Sequence, residues 1–525
     1  MVRLALAWSE HGIYYPDEIY QTTEPAHRFV FGYGFRAWEF RDGLRSWLVP
    51  GALGLIWKVA DALGVDNGLS LMRVARGAFA VLSVATVGAA MVWAFRVRGA
   101  TASFLTGAVL LAAPLALVMS AHTLSESVVA GLVLASAALF ASSSQRQPIG
   151  RIAVAAAGFA GGLAIAIRPQ AAPLVLGLMA IVASEKRWVD LRRYSLAMVA
   201  ALLAGGLLDW ITWGEPFAST WRYIDFNWIQ GGGAKYFGSE PRLFYVEHLA
   251  RSFGPGAILL LFGLISALRV VPKHVANVLV FVIAHSLISH KELRFLFPVI
   301  PYALAVTAVG MADVLVAVRR SLASVAARPD ERRPGNRRRS NTAGNAAPVP
   351  FAWTCGLASV IVVLGAVQST RLDFGSVGET RFWSGSTSVW GHLEGVNRLL
   401  SEAGSRPETC GVAVAAFGVS DGEVFTGGYS YLHRDVPMES VDGAALEDQP
   451  VPDFVNVLIT PNAEVVPKGW SVERENGGVA MLTMPGRCGP VPSGYTVEFS
   501  RPRSNGRATA PRLSYERNAG SPVDG

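Results

Sequence analysis

A helical protein that passes many times through a bilayer is what this sequence predicts, on three observations. Of its 525 residues 51% are apolar and only 16% are charged, where a soluble domain carries about a quarter. The mean hydropathy is positive, +0.35. Apolar runs long enough to cross about 30 Å of hydrocarbon recur from Leu71 to Val367. Together they predict an all-α polytopic membrane protein of about eleven transmembrane helices.

Taken in order, Met1 to Trp8 holds one arginine and a short apolar stretch without a small-residue cleavage pattern, so it is neither a signal peptide nor a complete span. The expectation is a chain that begins partway through its first span. Residues 51–64 place Leu53, Ile56, Trp57 and Ala60 on one helical face. Such a helix either lies in the interface plane or packs on its neighbours, and both readings stand. Further spans are expected at 72–95, 102–120, 124–141, 152–167, 170–184, 195–213, 255–268, 275–289, 296–318 and 351–368.

Alternate loops carry the basic residues: Arg96 and Arg98, Arg146 and Arg151, Lys186 through Arg193, Arg269 and Lys273, then Arg319 through Arg339. By the positive-inside rule these loops are cytoplasmic, and all agree on one orientation in a plasma membrane. Residues 11–71, 121–123, 168–169, 214–254, 290–294 and everything after Gln368 then face the periplasm or exterior.

Residues 319–350 mix Arg, Pro, Asn and Ser without apolar periodicity, which predicts a disordered cytoplasmic loop whose arginines orient the flanking spans. After the membrane part, 1–368, polarity rises. Stretches 410–417, 454–459 and 478–484 look like short strands between Gly, Pro and Asn. A small extracytoplasmic α+β domain is expected at 369–500, followed by a flexible tail at 501–525.

The net charge of +7 is dispersed over short loops rather than gathered on one surface, so it reports topology and not a nucleic-acid partner. Cys355, Cys410 and Cys488 are too few for a disulfide scaffold and lack the close spacing of a zinc site, so no metal centre is indicated. If the C-terminal region is extracytoplasmic, Cys410 and Cys488 can pair.

The polar residues that carry chemistry gather on the outer face. Asp17 follows Pro16 where the chain leaves its first helix. It is well placed as a helix N-cap, and equally as a general base that takes a proton from an acceptor hydroxyl at the water–lipid boundary. Its neighbour Glu18 points elsewhere. His290, Lys291, Glu292 and Arg294 form a dense polar knot between two apolar runs. A lone lysine there would simply snorkel, but this grouping suits a lipid-linked phosphate: Lys291 and Arg294 for its oxygens, His290 as donor, and Glu292 to orient a cation. His122, beside Ser125 and Glu126, and Arg168 lie at other outer helix ends. Arg168 is out of place under the positive-inside rule, whereas a lone histidine such as His122 is more often structural.

The order of these residues carries a resemblance. Pro16-Asp17-Glu18, Gln21, Glu24, His27, Phe31-Gly32-Tyr33-Gly34, Trp38-Glu39 and Arg45-Ser46 resemble the amino-terminal signature of the Alg9-like mannosyltransferases. The likeness continues through Thr123 to Glu126, Arg168-Pro169, Asp209 to Gly214, Phe226 to Gly238, and His290 to Phe295. Arg-rich, Lys-poor usage suits a bacterial member. The resemblance implies a GT-C fold and a glycosyltransferase that uses a polyprenyl-phosphate sugar, usually mannose, with a glycan or glycolipid acceptor and no cofactor. It implies Asp17 as catalytic base with Glu18 beside it. His290, Lys291 and Arg294 would serve the donor phosphate or fix the loop. Glu292, His122 and Arg168 complete the expected substrate-binding set.

Two other classes remain in view. A secondary transporter predicts ionisable groups near the midplane and internal repeats, neither of which is clear here. A membrane anchor for a binding domain leaves the polar outer loops before residue 300 unexplained.

Overall fold

The computed structural model describes residues 1–141, 150–326, 349–380, 384–415, 426–441, 446, 451–461, 464 and 466–491. The expected tail at 501–525, Arg146 and most of the predicted loop at 319–350 lie outside them. Each predicted apolar stretch carries a helix: Gly68–Arg98, Ala100–Ala112 with Pro114–Ala121, Ser125–Phe140, Arg151–Ile167, Ala172–Ser184, Trp188–Trp213, Gly256–Ala267, Pro272–Leu287, Ile300–Ala326 and Phe351–Thr370. Among the described residues four of these can cross a bilayer alone by length and composition, or six when two bent pairs are each counted as one span. The others are shorter, and the first helix is only Val2–Ser9.

Stretch 102–120, expected as one span, is bent by 65° between Ala112 and Pro114. Pro114 has no N–H to give the preceding turn, and it forces Ala113 into extended backbone. Phe244–Phe253 and Gly256–Ala267 meet at 116°. Small residues let the helices approach closely. A Cβ on Gly310 would fall on the backbone of Gly263, which packs Ile300–Ala326 against Gly256–Ala267. At the arginine-bearing ends, Arg96 Nη1 donates to Ala138 O (2.6 Å) and Arg187 Nη1 to Phe140 O (3.2 Å), satisfying carbonyls at the end of Ser125–Phe140.

The long first loop opens with a π-helical turn, Ile19–Thr23, and continues through Glu24–Phe31, Trp38–Arg41 and Leu48–Ala62. Leu53, Trp57 and Ala60 face inward as the periodicity predicts, but Ile56 does not: it is 40% exposed. Leu55, Val59 and Leu63 share its outward apolar side. The helix therefore both packs on the loop and presents an unpaired apolar surface.

After Phe351–Thr370 the chain builds a five-stranded sheet from β1 (Val412–Ala415), β2 (Met438–Val441), β3 (Val457–Thr460), β4 (Ser471–Asn476) and β5 (Val479–Thr483), in the order β2-β1-β3-β5-β4. β1 is parallel to β2 and β3, while β5 runs antiparallel to β3 and β4. Gly477 and Gly478, both at positive φ, make the tight β4–β5 turn. Helix Glu394–Ser405 buries Val396, Leu399, Leu400 and Ala403, spaced as one helical face. Cys410 and Cys488 are joined by a disulfide.

The sheet domain does not stand apart. Ile13, Ile19, Phe35 and Trp57 of the first loop share one hydrophobic core with Leu399, Tyr429, Tyr431 and Ile459. Glu24, fully buried, accepts from Ser430 N (2.6 Å), Ser430 Oγ (2.8 Å) and Phe35 N (3.0 Å). The loop that carries Asp17 is thus moulded on one side by the helix bundle and on the other by the sheet domain.

Candidate active site

Asp17 opens the turn that leads into the π-helix Ile19–Thr23, a helix type often found at functional sites. Its carboxylate is directed across the fold: Oδ2 lies 2.7 Å from Arg294 Nη2 and also accepts from Gln21 Nε2. Arg294 Nη1 reaches Glu126 Oε1 at 3.0 Å, and Arg168 Nη2 reaches the same oxygen at 2.7 Å. Arg168 Nη2 also donates to Gln21 Oε1 at 3.2 Å. The five side chains Asp17, Arg294, Glu126, Arg168 and Gln21 close a ring drawn from four separate parts of the chain. The side chains of Arg294 and Glu126 are nearly enclosed, at 4% and 2%, whereas that of Asp17 keeps 19% of its surface open. Asp17 thus offers a carboxylate fixed by two donors yet partly open to solvent, which suits a group that takes a proton from a hydroxyl.

The knot at 290–294 feeds this ring. Glu292 Oε1 accepts from Tyr15 Oη (2.6 Å) and contacts His290 Nε2 (2.9 Å), and its Oε2 accepts from Arg294 Nε (2.5 Å). Burial alone would raise the Glu292 carboxyl, but Arg294, His290 and the Tyr15 hydroxyl together hold it well below the usual carboxylate range. The Arg294 guanidinium lies 4.0 Å from the centre of the Tyr15 ring. His290 Nδ1 faces Gly238 O (3.1 Å), and Lys291 Nζ donates to Glu240 O (2.8 Å) and Ser289 O (3.4 Å). The polar atoms expected to hold a donor phosphate are thus turned to the protein. Arg294 is shared by three carboxylates, and Lys291 pins the loop to the segment ahead of Phe244–Phe253.

Glu18 and His122, two of the expected site residues, lie outside the ring. Glu18, expected beside Asp17 in catalysis, is fully buried on the other side of the turn. His122 Nδ1 lies 3.0 Å from both its oxygens, Tyr14 N donates to it at 2.7 Å, and Arg76 stands 4.0 Å away. His122, expected to bind substrate, is equally enclosed and faces Glu18. Adjacent residues at the start of a helical turn diverge, so Asp17 enters the ring while Glu18 ties the first loop to the helix ends. Tyr14 strengthens that tie by stacking on Phe297 and Phe374, with ring centres 6.0 and 6.3 Å away.

Other site residues had no role assigned from sequence. Gln21 donates to Glu39 Oε1 (3.0 Å), and Glu39 Oε1 stands 3.7 Å from Arg45 Nη2. Burial pushes the Glu39 carboxyl up. Glu126 is an acid at the very start of an apolar helix, a placement that signals function because an unpaired charge there is costly. Glu379, beyond the last span, is buried within range of Glu292, Arg294 and Asp17. Burial and then the Glu292 charge push it well above the carboxylate range. Beside the ring lies a small cavity lined by Arg45, Ser46, Arg168, Ser219, Thr220 and Tyr223 among others. Among the described residues no group of three or more His, Cys, Asp or Glu is arranged to hold a metal ion.

Residues 1–371 match the model of a family described as Alg9-like mannosyltransferases. The chain is 31% identical over 317 residues to GPI mannosyltransferase 3 of Yarrowia lipolytica, covering 57% of this chain and 58% of that protein. It is 32% identical over 304 residues to GPI alpha-1,2-mannosyltransferase 3 of Xenopus laevis, covering 54% of each. The chain thus spans little more than half the length of these relatives. Among solved structures, ArnT from Cupriavidus metallidurans bound to undecaprenyl phosphate superposes with a TM-score of 0.52 at 17% identity, over 93% of this chain and 97% of that one. ArnT shares the fold.

Proposed function

The chain belongs to the Alg9-like mannosyltransferase family, and on that premise we propose that it is a membrane glycosyltransferase moving mannose from a polyprenyl-phosphate donor to a glycan or glycolipid acceptor. The observation that carries this reading is the held but open carboxylate of Asp17 at the mouth of the ring. Asp17 is the general base: as the acceptor oxygen bonds to the anomeric carbon, its proton passes to Asp17. The bond from that carbon to the phosphate oxygen breaks, and its electron pair leaves with the phosphate. Attack opposite the leaving group inverts the anomeric carbon. Arg294 positions the base. When Asp17 takes the proton, Arg294 still faces Glu126 and Glu292, so its buried charge is never left unpaired. The donor's phosphate is its own leaving group, and the scheme needs no cofactor.

A lipid-phosphate donor draws support from the undecaprenyl phosphate bound to ArnT, which shares the fold. The disulfide Cys410–Cys488 suits an extracytoplasmic domain, and that domain shares a core with the Asp17 loop. Together with the positive-inside orientation, this supports a site on the outer face of the plasma membrane. The test is to incubate the purified chain in nanodiscs with labelled polyprenyl-phosphate mannose and candidate glycans. Label in a glycan supports the assignment. Flux of substrate across proteoliposomes without transfer would replace it with a transporter.

A further inference from the structure

Pro114 breaks a helix inside the bundle, and the break needs a donor. As a proline it has no N–H for Leu110 O, the carbonyl one helical turn before it, and with Ala113 extended the chain bends by 65° between Ala100–Ala112 and Pro114–Ala121. An unmet carbonyl among apolar helices is costly, because no water is at hand to serve it. Arg3 meets it from another helix. Its Nη2 donates to Leu110 O at 2.5 Å and its Nη1 to Ala116 O at 2.7 Å, so one guanidinium bridges the two sides of the break; Nη1 also donates to Ser83 Oγ. An arginine near a helix end would ordinarily snorkel to the surface. Arg3 instead turns inward and is only 3% exposed.

The half-helix held by this bridge leads straight to the site. Pro114–Ala121 has eight residues, all of them buried, and spans about 12 Å. At its far end His122 Nδ1 faces the Glu18 carboxylate at 3.0 Å, and Thr123 Oγ1 donates to Glu18 O at 3.1 Å. That second contact is to the backbone of the residue after Asp17, so it fixes the peptide chain that presents the base. Glu126, which meets Arg294 and Arg168 in the ring, lies three residues beyond Thr123 on Ser125–Phe140. Ser127 of the same helix donates from its Oγ to Met119 O at 3.0 Å, which locks the start of that helix to the half-helix. A change in the tilt of Pro114–Ala121 therefore displaces Asp17 and Glu126 together.

We propose that Arg3 is a positioning residue for transfer: by bridging Leu110 O and Ala116 O it sets the angle of Pro114–Ala121, and through His122 and Thr123 that angle places Asp17 in the ring. The role rests on Asp17 being the base, as proposed above. Arg3 acts from the far end of the half-helix, through packing and backbone contacts alone.

The test compares full-length wild type, Arg3→Met, Arg3→Lys, Thr123→Val and the Arg3→Met, Thr123→Val double variant in nanodiscs. It measures kcat and donor KM for mannose transfer, thermal unfolding, and amide exchange over residues 14–23. Moving a base out of its productive geometry should lower kcat of folded Arg3→Met by about 10- to 100-fold while the donor KM stays within about twofold. Exchange over 14–23 should rise, while exchange over 457–483 in the sheet domain stays as in wild type. Arg3→Lys restores the charge without the fork that spans both carbonyls, so it should recover part of the loss. Because Arg3 acts through Thr123, the double variant should be within about twofold of the worse single one rather than showing the product of the two losses. Losses that multiply overturn the route. A lower melting temperature with kcat and exchange over 14–23 unchanged reduces Arg3 to a support of the bundle and refutes the proposal, as does looser exchange with wild-type kcat. Wild-type protein that transfers no mannose counts against the donor or the base instead; exchange over 14–23 in Arg3→Met then still decides whether Arg3 holds the loop. If Arg3→Met does not fold, Arg3→Lys carries the same comparisons.

Discussion

Arg294 Nη2 lies 2.7 Å from Asp17 Oδ2, although 277 residues separate the two in the chain. The contact joins the acidic first loop to the knot that follows Pro272–Leu287, and it orients the carboxylate that the proposed mechanism uses.

Asp17→Asn keeps the size of the side chain and its bond from Gln21 but removes the base. Mannose transfer should fall by about 10²- to 10⁴-fold. Single-turnover assays with polyprenyl-phosphate mannose measure this, with thermal unfolding as a control; transfer at the wild-type rate refutes the assignment.

Arg294→Gln withdraws the cation shared by Asp17, Glu126 and Glu292. Leaving buried carboxylates uncompensated should cost about 3–5 kcal/mol of stability. Arg294→Lys returns the charge without the planar fork, so it should recover stability better than turnover. The split between kcat and KM reads the difference: a positioning role lowers kcat with little change in the donor KM.

Glu18→Gln tests whether Glu18 supports the fold or the chemistry. The enclosed pair with His122 and the nearby Arg76 lose their anion, so the melting temperature should drop markedly. Transfer per folded molecule should nonetheless fall by less than about 10²-fold, the lower bound for loss of a base. A loss of activity as deep as that of Asp17→Asn, at unchanged stability, would restore Glu18 to the chemistry.

The joint between first loop and sheet domain should respond to acid. His27 Nε2 and His433 Nδ1 stand 3.0 Å apart. Burial, and then His433, hold His27 down to about 3 from its ordinary 6.5. Burial likewise holds His433 below its ordinary value. A base lowered in the folded state contributes stability that is complete above about 6.5 and is lost as the pH falls from there toward 3. The melting temperature should therefore fall across that window. His27→Phe should give a shallower fall, by up to one proton of linkage; an unchanged slope would exclude the pair as its source.

Much of the fold was legible because bilayer chemistry is one-dimensional. A run of apolar side chains is a helix wherever it lies in the chain, since the backbone must satisfy itself in hydrocarbon. Breaks were harder to read: Pro114 bends a stretch that hydropathy alone leaves whole. Asp17, Arg168 and Arg294 were visible as charges at helix ends, and Gln21, Glu39 and Arg45 as motif positions without a stated role. Glu379 had no signal, because nothing local marks a single acid after the last span as buried.

The sequence by itself determined a multi-pass helical protein, the helix ends at which its polar residues collect, and the family signature that names its chemistry. Only the tertiary structure decided which charge meets which: that Arg294 turns to Asp17, that Glu18 and His122 close on each other, and that Arg168 meets Glu126. The reason is physical. Apolar burial is additive along the chain and needs no partner, whereas an ion pair depends on separation and orientation in space, and the residues that share this ring come from positions 17 to 294 of the sequence.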